Sequence, residues 1–439
     1  MSRIEDLKMD TGYLLSTLKT LLNTPSPTGM TDLAVGFVCS ELNRFGIDFE
    51  LTRRGAIRAN LPGKREHPDR AVSAHLDTLG AIVKRIKPCG RLEISPVGHW
   101  SARFAEGARV TVFMDEARKV RGTILPLKAS GHTYGEAVDE LPVSWQNVEV
   151  RLDERVSCAK DTLALGVNVG DLIAVDANPQ FAGNGFINAR HLDDKAGTAA
   201  VLTAAKAVVD AGVTLPLNCH LLFTISEEVG VGASHILHGD VAEMVSIDNG
   251  TIAPEQNTSE YGVTVAMQDS SGPFDWHLTR SLLHLCQRFN IEHSRDVFNH
   301  YRSDAAAAME AGNDMRAALI CFALDASHGY ERTHVDSLIA LARLINVYMQ
   351  SPRLFERDEE ALGPVGDLPA GEYERIDEPD ADSAYGVETS GAAHSDMPDR
   401  EPAVMTPSHA DPYAAADMPM PQGQPDSAPA GRDPGHRLD

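Results

Sequence analysis

Cysteine is scarce in this chain, and none of it is paired by spacing. Cys39, Cys89, Cys158, Cys219, Cys286 and Cys321 are scattered without a C-x-x-C repeat, so no thiolate zinc site or disulfide framework is written into the sequence. Cys39, Cys219 and Cys321 lie in apolar segments and read as buried, reduced thiols of a cytoplasmic protein. Basic residues are few as well. Lys and Arg number 39 against 63 Asp and Glu, a net charge of −24, so the excess that neutralises nucleic acid or an anionic membrane is missing. No apolar run reaches the ~18 residues of a membrane-spanning helix. The charged start Met1-Ser2-Arg3-Ile4-Glu5-Asp6 is not the core of a signal peptide. Internal repeats are absent. What remains is an ordinary soluble composition, on a chain long enough for two domains and additions to them.

The acidity is uneven. Residues 351–439 hold 20 Asp and Glu against 6 Lys and Arg, which places −14 of the −24 there. Thirteen of the 25 prolines also lie from Pro352 onward. Such a segment buries too little apolar area to offset ordering, and residues 352–439 are expected to form a disordered acidic tail.

Ahead of the tail, periodicity organises the chain. Ile4, Leu7, Leu14, Leu18, Leu21 and Leu22 mark an amphipathic helix that stops at Thr24-Pro25-Ser26-Pro27-Thr28-Gly29. A second helix runs through Leu33, Val35, Val38 and Leu42 to Gly46. Strands follow near 47–52, 56–61 and 70–76, the last rising from an Arg/His/Pro-rich loop at 63–70. Between 88 and 185, short β-prone runs separated by Gly, Asp and Pro suggest an inserted all-β domain, a barrel or sandwich. Afterwards strand and helix alternate. Helices are expected at 194–211, 232–238, 274–289, 303–312 and 335–350. Strands are expected at 218–225, 243–248, 261–267, 294–298 and 317–323. The fold class is α/β: a central, mostly parallel sheet flanked by helices. Its first part is 1–87, and its second part, 186–351, follows the insertion at 88–185.

The residues that could carry chemistry gather at strand ends and helix starts. His75 and Asp77 close a buried strand, where residues two apart share a face; His75 could bind a metal while Asp77 fixes its tautomer. Asp193 and Asp194 follow a glycine-rich approach (Gly183, Gly185) and open a helix, where one carboxylate can cap and the other is spare for a cation. Glu227 and Glu228 follow an apolar strand, where adjacent carboxylates are costly unless charge-compensated. Asp248 ends another strand, Asp304 is a candidate helix cap, and His334 precedes the last helix with His328 as its rival. The glycines after Glu228 do not make a dinucleotide site, since His235 stands where the third glycine belongs and two glutamates would repel a pyrophosphate. Two histidines with several carboxylates suit a pair of divalent cations. Paired carboxylates alone would also serve a glycoside hydrolase, but histidines add nothing to that chemistry.

His75-x-Asp77, Asp193-Asp194-Lys195-x-Gly197, Glu227-Glu228-x-Gly230 and Thr333-His334 occur in the order and spacing of the M42 metallo-aminopeptidases. Over about residues 8–350 the chain resembles that family. The resemblance implies a zinc-peptidase-type fold and two divalent cations per subunit, zinc or cobalt. One would be held by His75, Asp193 and Asp248, the other by Glu228, His334 and the bridging Asp193. Glu227 would be the general base, with Asp77 orienting His75. The β insertion would serve dimerisation, and dimers would build a larger homo-oligomer acting on short peptides. Two features depart from the family pattern. The usual Arg-Tyr-x-His segment stands here as Gly329-Tyr330-Glu331-Arg332-Thr333-His334, and the acidic tail is foreign to the family core. Both resemble the branch associated with N-acetylglutaminylglutamine amide osmoprotectant synthesis, which implies a small peptide substrate of that kind. Two other readings stay open: a dimetal amidase or deacylase of N-acylated small peptides, and a catalytically silent scaffold.

Overall fold

Leucines three and four apart bury Leu14, Leu18, Leu21 and Leu22 along one face of the helix Thr11–Leu22. This helix starts later than the stripe from Ile4 suggests, because the Asp10 carboxylate accepts the N–H of Tyr13 and caps it there. The second helix, Asp32–Phe45, ends as expected at Gly46, whose φ of 68° is the left-handed closure that glycine adopts without cost. The structure, a computed structural model, describes residues 4–359.

Four strands make the parallel centre of a nine-stranded sheet: Leu215–Thr224, Gly63–His75, Val241–Thr251 and Arg316–Leu324, in that spatial order. Antiparallel strands flank them, with Ile57–Leu61 and Asp48–Leu51 on one side and Val263–Asp269 on the other. His293–Val297 pairs in parallel with Val263–Asp269. Helices Leu192–Ala211 and Val335–Met349 pack on each other and on the sheet. The central strands are buried almost throughout, as strands covered on both faces must be.

Two expectations are corrected. Residues 63–70 are not a loop: the strand Gly63–His75 begins there, because Gly63 and Arg65 pair with Leu215 and Leu217. Residues 232–238 are not a helix. Short 3₁₀ turns at Glu227–Val229 and Ala233–His235 replace it, separated where Gly230 takes a φ of 78°.

The β insertion is a closed six-stranded barrel, ordered Gly80–Ile86, Leu92–Val97, Val148–Leu152, Lys119–Pro126, Arg109–Phe113 and Leu172–Val175. Val83, Ile94, Val110, Val112, Ile124, Val150 and Ile173 fill it. It starts before the expected boundary at 88, since Gly80–Ile86 closes it by pairing with Leu172–Val175. A small antiparallel sheet then joins Phe186–Ala189 to Glu331–His334.

The expected tail is anchored at its start: Leu354 packs against the core, and Asp358 receives two hydrogen bonds from Arg316, at 2.6 and 3.0 Å. The remainder of the predicted disordered tail lies outside the described residues.

Candidate active site

The C-terminal ends of neighbouring parallel strands are where open α/β sheets present ligand groups. His75 ends one such strand, Glu227 and Glu228 follow the next, and Asp248 lies near the end of a third. The loop into helix Leu192–Ala211 brings Asp193 over them. His75 Nε2 lies 3.2 Å from Asp193 Oδ1 and 3.8 Å from Glu227 Oε2. His75, Glu227 and Asp248 each place a ligand atom within 4.8 Å of the others. His328 Nε2 lies 3.4 Å from Asp193 Oδ2 and 3.8 Å from Glu228 Oε2, so Asp193 stands between the two imidazoles. These groups border a cleft of about 650 Å³, lined by Asp193, Glu227, Glu228, Asp248, Asp304 and His328 among others.

His334 is elsewhere. Its Nδ1 accepts the N–H of Asp336 at the start of the last helix, and its Nε2 donates to the Asn184 carbonyl at 3.1 Å. Its ring lies against Gly185, where a Cβ would come within 2.4 Å of it. The imidazole at this end of the cleft is therefore His328, and the position expected for His334 is corrected. Asp77 faces His75 as expected, its Oδ1 lying 3.7 Å from Nδ1, but the hydrogen bond of the imidazole goes to its main chain. His75 Nδ1 donates to the Asp77 backbone carbonyl at 3.0 Å, while the carboxylate accepts the N–H groups of Glu227 and Glu228, at 3.1 and 3.3 Å, and the Thr28 hydroxyl at 2.7 Å. Asp77 thus orients the imidazole through its main chain and the two glutamates through its side chain. Asp304 does not cap its helix; it accepts from the Thr224 hydroxyl and the Ala233 N–H across the cleft floor.

The rest of the aspartate motif is structural. Asp194 accepts the His75 N–H at 3.0 Å, and its carboxylate fills the space above Gly197, where a Cβ would sit 2.0 Å from Asp194 Oδ1. Lys195 is buried and donates to the Leu21 and Thr24 carbonyls at 2.9 and 2.7 Å, tying down the end of the first helix. Burial pulls its ammonium down to about 7.

Negative charge is crowded here beyond what the protein compensates. Burial, then repulsion among the carboxylates, pushes Glu228 and Asp248 up to about 8, Asp304 to about 6, and Glu227 and Asp194 well above the usual range. Burial alone would lower both imidazoles, but hydrogen bonds to Asp193 and the charge of nearby glutamates hold His75 well above its ordinary value and His328 at about 10. Both imidazoles in turn hold Asp193 low against its own burial. A buried acidic cluster with two histidines is a donor set that divalent cations neutralise and imidazole ligands complete.

The sequence profile of the M42 glutamyl aminopeptidase family matches residues 55–344. The chain belongs to this family. It is 37% identical to the putative aminopeptidase YhfE of Bacillus subtilis over 335 residues, covering 76% of this chain and 96% of that one. A more distant relative is the glutamyl aminopeptidase of Lactococcus lactis, 24% identical over 51% of this chain and 62% of its own. Among solved structures, a TET aminopeptidase of a marine-sediment Thaumarchaeota archaeon superposes with a TM-score of 0.71 at 18% identity, over 79% of this chain and 99% of that one. The TET1 peptidase of Pyrococcus horikoshii, described as assembling into a tetrahedron or an octahedral shell, gives 0.67 at 21% identity, over 76% and 99%. As an M42 member, the protein is a peptide hydrolase of aminopeptidase type.

Asn249, beside Asp248, was not singled out by sequence reasoning. Its amide donates to Asp193 Oδ2 at 2.8 Å and Asp248 Oδ1 at 3.0 Å, and Tyr301 donates to its carbonyl at 2.7 Å. No periodicity marks such a residue; only its place next to a candidate ligand could have drawn attention.

Proposed function

We propose that the protein is a dinuclear metal-dependent aminopeptidase that removes N-terminal residues from short peptides. The observation that carries this reading is the shared Asp193, with His75 on one oxygen and His328 on the other inside a buried surplus of carboxylates. His75, Asp193 and Asp248 would hold one cation; Asp193, Glu228 and His328 the other, with zinc or cobalt as the candidates. When bound, the cations supply Lewis acidity, acidifying water and drawing charge from the scissile carbonyl oxygen. Glu227 faces the cleft, accepts the proton of the attacking water and passes it to the leaving amine. Asp77 keeps Glu227 in place through its backbone N–H. The acidic cleft walls attract the free ammonium end of a peptide.

The closeness of Glu227 to His75 and Asp248 favours a second reading, in which Glu227 is itself a ligand. Glu227→Gln separates the two. As base, it loses about 10³-fold or more in kcat and keeps both metals; as ligand, it also loses one metal by elemental analysis. Wild-type turnover in this variant would rule out both roles. A panel of free and N-acylated peptides tests the amidase alternative, since an aminopeptidase requires the free amine.

The barrel suits the dimerisation role expected for the insertion, and a homo-oligomer built from dimers should appear in solution mass measurements. Six unpaired thiols fit the expected cytoplasmic setting.

A further inference from the structure

We infer that Glu331 is a positioning residue of the metal centre, locking the loop that bears Asp193 to the loop that bears His328 through one carboxylate. The inference rests on the reading of those two residues as ligands. Pairing of Phe186–Ala189 with Glu331–His334 sets Glu331 opposite Ala189, below the turn into helix Leu192–Ala211. Its side chain is 1% exposed. Oε2 accepts the N–H groups of Leu192 at 2.7 Å and Asp193 at 3.3 Å, while Oε1 accepts the N–H of His328 at 3.0 Å.

Each of those donors needs an outside acceptor. The first N–H groups of a helix have no intrahelical partner, and His191, at the cap position, engages the Val175 carbonyl with its Nε2 instead. A carboxylate from far along the chain caps in its place. His328 has φ 65°, a left-handed conformation that a non-glycine residue keeps only where its surroundings hold it. Glu331 supplies that hold. From there the His328 ring reaches to 3.4 Å from Asp193 Oδ2. Glu331 does not border the cleft, and both its oxygens are engaged by backbone, so it acts through the ligands and is not one itself.

Only a carboxylate of this length fits. An amide of the same shape has one acceptor and would turn N–H toward N–H at the other loop. An aspartate keeps two acceptors but falls one methylene short.

The test titrates metal-stripped protein with Zn²⁺ and with Co²⁺ against a competing chelator, and follows thermal unfolding on the same samples. Wild type, Glu331→Gln, Glu331→Asp and Leu18→Ala, a cavity variant in the first helix, are compared. Glu331→Gln is expected to lose about 10–100-fold in affinity for at least one cation. Its kcat/KM falls at limiting metal and recovers at saturating metal. Leu18→Ala lowers Tm and keeps wild-type affinity. Equal cation affinity in Glu331→Gln and wild type overturns the inference, as does an equal affinity loss in a Leu18→Ala sample matched for Tm. If the glutamine variant does not fold, Glu331→Asp carries the test, and wild-type affinity in it is the overturning result. Wild type that binds no cation would instead defeat the ligand reading beneath the inference.

Discussion

The α/β body and the β-barrel handle charge in opposite ways. In the barrel, ionic groups are matched locally, most of them near the surface: Arg109 with Asp153, Arg121 with Asp176, Arg85 with Glu93, and Lys87 and Arg91 both with the buried Glu149. In the body, Asp193, Asp248 and Asp304 are buried around one cleft with Glu227 and Glu228, and their closest ion-pair partners are His75 and His328, with Arg302 farther along the cleft wall and paired to Glu310. The barrel needs no further component to be electrically settled. The cleft is not balanced in this way, and the crowded groups that could do chemistry all belong to the body.

The largest expected contrast appears when metal is withheld. Folded Glu228 and Asp248 hold protons up to about 8, whereas the ordinary values are 4.5 and 3.8. Between those values the unfolded chain has released protons that the folded chain keeps, so stability is present at low pH and lost as pH rises through 8. His328, raised from 6.5 to about 10, adds to the loss over the upper part of that range. Metal-free protein should therefore lose ~3 kcal/mol or more between pH 5 and pH 9. Saturating Zn²⁺ should flatten or reverse the trend, because ligands deprotonate to bind. Tm against pH with and without cation checks this; superimposable profiles would break the contrast.

A smaller effect is expected at the base of the acidic cluster. Gly197→Ala gains about 1 kcal/mol of helix propensity, but its Cβ would meet Asp194 Oδ1 at 2.0 Å and Ile247 Cγ2 at 2.6 Å. A net loss of ~2 kcal/mol is expected by denaturant titration, together with reduced cation affinity, since Asp194 holds the His75 backbone. Unchanged affinity would show the cluster to be less tightly coupled than its packing indicates. The smallest effect belongs to the barrel. A double-mutant cycle on Arg109 and Asp153, about a third exposed, should return a coupling below ~1 kcal/mol, and no change in metal binding. A coupling well above that would mean that the barrel also depends on its charges.

Much of this could be read along the chain. The leucine stripe of the first helix, the Gly46 stop, the alternation after residue 186 and the β texture of the insertion are local patterns, and local geometry answers to them. His75, Asp193, Glu227, Glu228 and Asp248 were accessible because strand ends and helix starts are local features too. The strand at 63–70 was missed because its partner lies at Leu215–Leu217, and no nearby residue announces that pairing. The resemblance of Thr333-His334 to the family motif implied His334 as the ligand, yet its place before the last helix is where its Nδ1 is consumed as a cap. No local pattern marks Glu331, because two of the three N–H groups it accepts lie at Leu192 and Asp193, far back along the chain.

By itself, the sequence determined most of the helices and strands and the β character of the insertion, and that a chain rich in acid carries a few histidines at the edges of its elements. Those outcomes depend on periods of two and of three to four residues, and on glycine and proline stops. Only the tertiary structure decided that Asp193 lies between His75 and His328, that His334 is spent on a helix end, and that Glu331 joins two loops. The reason is physical. A ligand set is defined by distances of a few ångströms between residues far apart along the chain, and strand order, which no local period encodes, sets those distances.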